Sequence, residues 1–120
     1  MSENVIKTKS FSFAIRVIKL YQFLCSDKNE YVLSKQLLRS GTAIGALVRE
    51  SEQAESKLDF IHKLAIAQKE ANESDYWLEL LFQSDYLNEV QFQSLKLDII
   101  EINKILASII ITTKQKIGKK

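Results

Sequence analysis

A chain of 120 residues with no proline, three glycines and 46% apolar residues is read as one all-α domain, residues 1–120. The lone Cys25 excludes an intramolecular disulfide and suits a reducing cytoplasm, and no apolar run reaches bilayer-spanning length. The net charge of +2 conceals a division: residues 1–49 hold eight Lys/Arg against three Asp/Glu, residues 50–101 four against twelve, and residues 102–120 five against none. Such a split fits basic helices neutralised by acidic neighbours, and it fits an anion-binding surface.

Met1 to Lys7 is polar and reads as a frayed lead-in with no signal peptide. The spacing then predicts a first helix over 8–26. Phe11, Ile15, Ile18 and Cys25 make one apolar stripe, and Ala14, Val17, Tyr21 and Leu24 an adjacent one. The opposite face carries Lys9, Ser12, Arg16 and Lys19. Asp27 to Glu30 reads as a polar turn.

A second helix is predicted over 32–53, with Leu33, Leu37, Gly41, Ile44 and Val48 inward and Lys35, Arg39 and Arg49 on its other face. A glycine inside a helix costs about 1 kcal/mol relative to alanine. Gly41 and Gly45 therefore need a reason, and close approach to the Ala67–Ala71–Ser74 segment of the third helix supplies one. The third helix is predicted over 56–84, opened by a Ser56-x-x-Asp59 capping box. Its inward line is Phe60, Leu64, Ala67, Ala71, Ser74, Leu78 and Leu81. Glu70, Glu73, Asp75 and Glu79 form an acidic face; of the adjacent Tyr76 and Trp77, one is expected in the core and one at its rim.

Asn88 and Gln91 can cap a fourth helix over 88–116, with Leu87 and Phe92 placed as a hydrophobic staple. Phe92, Leu95, Ile99, Ile102, Leu106 and Ile109 keep a heptad. Ile105, Ile110 and Ile111 fall outside it, which makes them candidate oligomer-interface residues. Four amphipathic helices with short connections imply an antiparallel up-down-up-down four-helix bundle.

Little in the sequence carries reaction chemistry. His62 is the only histidine, and Asp59 stands three residues before it. A di-iron bundle needs two such motifs and more carboxylates, so no metal and no cofactor is expected. No serine or cysteine has the context of a nucleophile, and no glycine-rich phosphate loop is present. Catalytic residues are accordingly read as none.

The run from Arg39 through Ser40, Gly41, Thr42, Ala43 and Ile44 to Gly45 is more distinctive. It is followed by Arg49-Glu50-Ser51-Glu52, by Ala54 to Leu64, and by Lys69-Glu70-Ala71 with Glu73, Tyr76, Trp77 and Leu78. This string resembles a bacterial four-helix bundle protein family. Its founding members are encoded by intervening sequences in 23S ribosomal RNA genes, and the accessory variability proteins of diversity-generating retroelements are similar. The resemblance spans roughly residues 8–114. It implies a non-enzymatic homopentamer and a role either in binding RNA or DNA or as partner of a nucleic-acid enzyme such as a reverse transcriptase. Where that family commonly has Ser-Ile-x-Ala-Asn, this chain has Ala43-Ile44-Gly45-Ala46-Leu47, which argues against a polar site built on those positions.

The leading expectation is an oligomeric scaffold that binds nucleic acid electrostatically. Lys9, Arg16 and Lys19 of the first helix and Lys35, Arg39 and Arg49 of the second would form one continuous basic strip. The other reading is a protein–protein adaptor whose basic surface only balances acidic neighbours.

Overall fold

The computed structural model describes residues 2–118, and Met1, Lys119 and Lys120 lie outside the described residues. It contains four α-helices: α1 (Ser2–Lys28), α2 (Leu33–Ser51), α3 (Lys57–Gln83) and α4 (Glu89–Gly118). Neighbours pack in the order α1–α2–α3–α4, and α4 returns to α1. The result is an all-α four-helix bundle, 55 × 22 × 20 Å.

The core follows heptads on all four helices. On α3 the buried line is Ile61, Leu64, Ala67, Ala71, Ser74, Leu78 and Leu81; on α4 it runs from Phe92 to Ile109. Both agree closely with the sequence pattern. On α1 the pattern misleads. The buried line is Ile6, Ser10, Phe13, Val17, Leu20 and Leu24, so the N-terminal lead-in is helical and its Ile6 belongs to the core. Phe11, Ile15 and Ile18 lie outside, 50%, 40% and 41% exposed.

Gly41 and Gly45 permit a close approach, but to α1 rather than to α3. A Cβ on Gly41 would stand 2.9 Å from Val17 Cγ2, and one on Gly45 would stand 3.4 Å from the Ser10 carbonyl oxygen. The crossing of α2 with α3 is made instead by two buried serines. Ser74 Oγ lies 2.8 Å from Ser40 Oγ and 2.9 Å from the Glu70 carbonyl oxygen. Among the described residues, every buried side-chain nitrogen and oxygen has a hydrogen-bond partner.

The helix ends are closed by side chains. Ser56 Oγ accepts the Asp59 N–H at 3.0 Å, while the Asp59 carboxylate accepts from Glu55 N–H. Asn88 and Gln91 exchange side-chain-to-backbone bonds at 2.8 and 2.9 Å, a reciprocal capping box. Leu87 and Phe92 beside it are both buried. Asp85, at φ 68°, ends α3 in the left-handed region, where an aspartate is tolerated.

The start of α2 has a cap that sequence reading does not anticipate. Val32 at the N-cap has no side chain to offer. The Glu30 carboxylate, 7% exposed, takes its place and accepts the N–H groups of Val32, Leu33 and Ser34 at 3.1, 2.9 and 2.7 Å. Burial raises the Glu30 pKa, but the donated backbone bonds outweigh it and hold the group below its ordinary value of 4.5. A depressed carboxylate contributes stability that is present above pH 4.5 and lost as pH falls through the folded-state value. Glu30→Gln is therefore expected to cost about 2 kcal/mol at pH 7. The gap to the wild type should narrow below pH 4.5 in urea titrations. A gap that stays constant down to pH 3 would assign the loss to packing rather than to charge.

Candidate functional site

The six basic candidates do not form one strip. Lys9 pairs with Glu101 at 3.0 Å. Arg16 pairs with Asp98, and its other guanidinium nitrogen donates to Ser94 Oγ at 2.8 Å. These two side chains clamp α1 to α4. The seam is a groove, with clefts of about 190 Å³ beside Lys9 and about 200 Å³ beside Arg16 and Lys19. A carboxylate already sits on each clamped cation, so a phosphate would have to displace it.

Lys19, Lys35, Arg39 and Arg49 are different. All four are exposed, and none enters an ion pair among the described residues. Arg49 stacks its guanidinium over the Phe11 ring at 5.2 Å. Arg39 stands close enough to Glu70 to oppose the rise in its pKa; burial and the neighbouring Glu73 still raise it above the ordinary value. Helix geometry explains why the two rows stay apart. Successive residues turn by about 100°, which places Phe11, Ile15 and Ile18 between the Arg16 side of α1 and α2. An apolar ridge thus separates the basic residues of α1 from those of α2.

The oligomer-interface candidates also divide. Ile111 is 56% exposed, Ile105 is half-buried against the core, and Ile110 is only 7% exposed. Ile110 belongs to the chain's own core, so the structure corrects its assignment as a free apolar surface. Its burial follows from length: α4 outruns the strict heptad and packs a second isoleucine beside Ile109. The exposed apolar residues of α4 are Val90, Leu97, Ile100 and Ile111.

Among the described residues, no three His, Cys, Asp or Glu side chains converge as metal ligands. His62 is exposed, Asp59 serves the α3 cap, and Cys25 is half-buried. Tyr76 is exposed, while Trp77 is half-buried and meets it edge-on at 5.1 Å. No helix of the described residues is long and apolar enough to cross a membrane.

An all-α four-helix bundle is therefore the class the fold defines. More narrowly, the chain belongs to the 23S rRNA-intervening sequence protein family, whose sequence profile matches residues 2–108. It is also similar to a crystal structure of a protein of unknown function from the S23 ribosomal protein family of Bacteroides thetaiotaomicron VPI-5482. The two are 56% identical and superpose with a TM-score of 0.91, over 92% of this chain and 98% of the other. A search among curated proteins gives no match.

Proposed function

We propose that this chain is a non-enzymatic, cytoplasmic, oligomeric scaffold that binds RNA or DNA through the phosphate backbone. The observation that carries this reading is the set of four exposed cations, Lys19, Lys35, Arg39 and Arg49, that enter no ion pair among the described residues. An exposed guanidinium or ammonium is free to exchange its counterions for phosphates, and the released ions make binding favourable at low salt. The family's name and that of the S23 structural relative both refer to ribosomal components, which fits an RNA target.

The helices offer no element shaped to read base edges, so affinity is expected to depend weakly on sequence. Four phosphate contacts correspond to a slope of about −3.6 in log K against log salt on duplex DNA, and assembly multiplies the contacts. The test is an anisotropy titration of structured RNA and duplex DNA at two salt concentrations. Lys19→Gln, Lys35→Gln, Arg39→Gln and Arg49→Gln combined should abolish most binding with helicity unchanged. Lys9→Gln, which removes a cation already paired with Glu101, should leave binding nearly intact. No binding by the wild type at low salt would remove the nucleic-acid role.

A protein–protein adaptor is the second reading. The exposed Phe11, Ile15 and Ile18 favour it, because a row of three bulky apolar side chains is more than scattered surface hydrophobicity.

A further inference from the structure

Three of the four unpaired cations stand on α2, and the register of α2 against α3 adds another, Lys69, outside the six basic candidates. Ser74 meets Ser40 at 2.8 Å and Lys63 meets Glu50 at 3.7 Å, so the two helices run antiparallel. Lys69 lies midway between Lys63 and Ser74 and is therefore level with residue 45, between Arg39 and Arg49. It is exposed and enters no ion pair among the described residues. At a rise of about 1.5 Å per residue, Lys35, Arg39, Lys69 and Arg49 follow one another at about 6, 9 and 6 Å along the bundle.

The line between these cations is free of bulk. The α2 positions that share its face between Arg39 and Arg49 are Thr42 and Ala46, at helical spacing. Thr42 Oγ1 turns back and donates to the Leu38 carbonyl oxygen at 2.7 Å. A polymer backbone can lie close against the helix there.

The two walls of this face also converge. Burial raises the Glu70 pKa and Glu73 adds to it, while Lys69 and Arg39 counter the rise, so one carboxylate is flanked by a cation from each helix. Trp77 Nε1–H donates to Glu73 at 3.4 Å, and the Tyr76 ring meets Trp77 edge-on at 5.1 Å. Tyr76 is two residues beyond Ser74, hence level with Arg39, and it is 56% exposed. Asp75 turns the other way, to Lys96 on α4. Glu70 and Glu73 line the α3 wall and repel phosphate, which steers a polyanion toward α2.

Resting on the nucleic-acid reading above, we infer that the outer α2–α3 face is a track for a single strand, whose phosphates meet Lys35, Arg39, Lys69 and Arg49 and one of whose bases stacks on Tyr76. A base inside a duplex is already stacked on both faces and cannot reach the ring. A cationic path lined by an exposed aromatic is the arrangement that holds single strands without reading their sequence. The track is about 21 Å long and suits about four nucleotides, the low end of known single-strand sites. Lys19, on α1, lies off the track.

The experiment uses the full chain and two labelled probes of equal length, an oligothymidylate and a DNA duplex, in anisotropy titrations at several salt concentrations. Charge alone favours the duplex, which carries one charge per about 1.7 Å of axis. Tighter binding of the oligothymidylate is therefore the expected and diagnostic result. Tyr76→Ala should weaken oligothymidylate binding about tenfold and leave duplex binding unchanged, within the range for loss of one base stack. Tyr76→Phe, which keeps the ring, should restore it. Lys69→Gln should lower the single-strand salt slope by about 0.7 for each subunit the strand crosses. Lys19→Gln should leave that slope unchanged. Circular dichroism checks that each variant keeps its helicity.

The outcomes separate the claims. If wild type binds neither probe at low salt, the nucleic-acid reading falls and the track with it. If it binds the duplex as tightly as the oligothymidylate or more so, the track is overturned while the nucleic-acid reading stands. A single-strand preference that survives Tyr76→Ala, or a slope that falls with Lys19→Gln and not with Lys69→Gln, places the strand on another face and overturns the inference.

Discussion

Gly41→Leu is expected to destabilise the bundle by about 3 kcal/mol or more, lowering the melting temperature by roughly 10 °C. The cause is Val17. A Cβ at position 41 already lies 2.9 and 3.0 Å from its two methyl carbons. Val17 is fully buried and β-branched, so it has one comfortable rotamer and no room to turn. Even Gly41→Ala is expected to lose about 1 kcal/mol, because the clash exceeds the helix-propensity gain of similar size. Gly45 is the contrasting case, since its added Cβ would make ordinary contact with the Ser10 backbone at 3.4 Å. Gly45→Ala is expected to be neutral or to gain up to about 1 kcal/mol. Thermal melts of the three variants decide the matter. Equal effects at 41 and 45 would show that α1 does not press on Gly41. In a double-mutant cycle, Val17→Ala should relieve part of the Gly41→Ala cost, which a mere propensity effect would not allow.

The helical class and the register of α3 and α4 were legible because their heptads are sustained and their alternatives poor. Leu64, Ala67, Ala71 and Ser74 admit one inward face, and so do Phe92, Leu95, Ile99 and Ile102. On α1 the apolar residues surround most of the helix, and two stripes compete. Ser10 is polar yet buried, which hides the true line, while Phe11 is aromatic yet exposed. A strict heptad beginning at Ile6 would have found the core and, by subtraction, the ridge. The requirement for glycine at 41 was visible, but its partner was not, because Val17 lies on another helix. The basic rows show the same limit. Sequence places Lys9 and Arg16 on one face, but it cannot show that Glu101 and Asp98, more than eighty residues on, will occupy them. The cap by Glu30 is not legible in the sequence, because Glu30 precedes α2 by three residues and reaches forward to its first N–H groups from outside the usual N-cap position.

Ile110 and Ile111 provide the other large effect, since adjacent isoleucines on one helix point about 100° apart. Ile110 is 7% exposed among core side chains and Ile111 is 56% exposed. Ile110→Lys removes buried apolar contacts and forces an ammonium to stay in the core or distort its way out. The expected cost is about 3 kcal/mol or more. Ile111→Lys leaves its charge in water, and its effect on the single chain should stay within about 0.5 kcal/mol. Urea denaturation should be run at sub-micromolar concentration, so that association contributes little to either value. The two variants then report on different links. Ile110→Lys should shift the midpoint at every protein concentration, because it acts on folding of the chain. If Ile110→Lys instead keeps wild-type stability in the dilute regime and only dissociates the concentrated protein, then position 110 lies on an intersubunit surface. The packing of α4 described here would then be wrong at its C-terminal third. A large loss from Ile111→Lys in dilute solution would reverse the assignment of inner and outer faces along that helix.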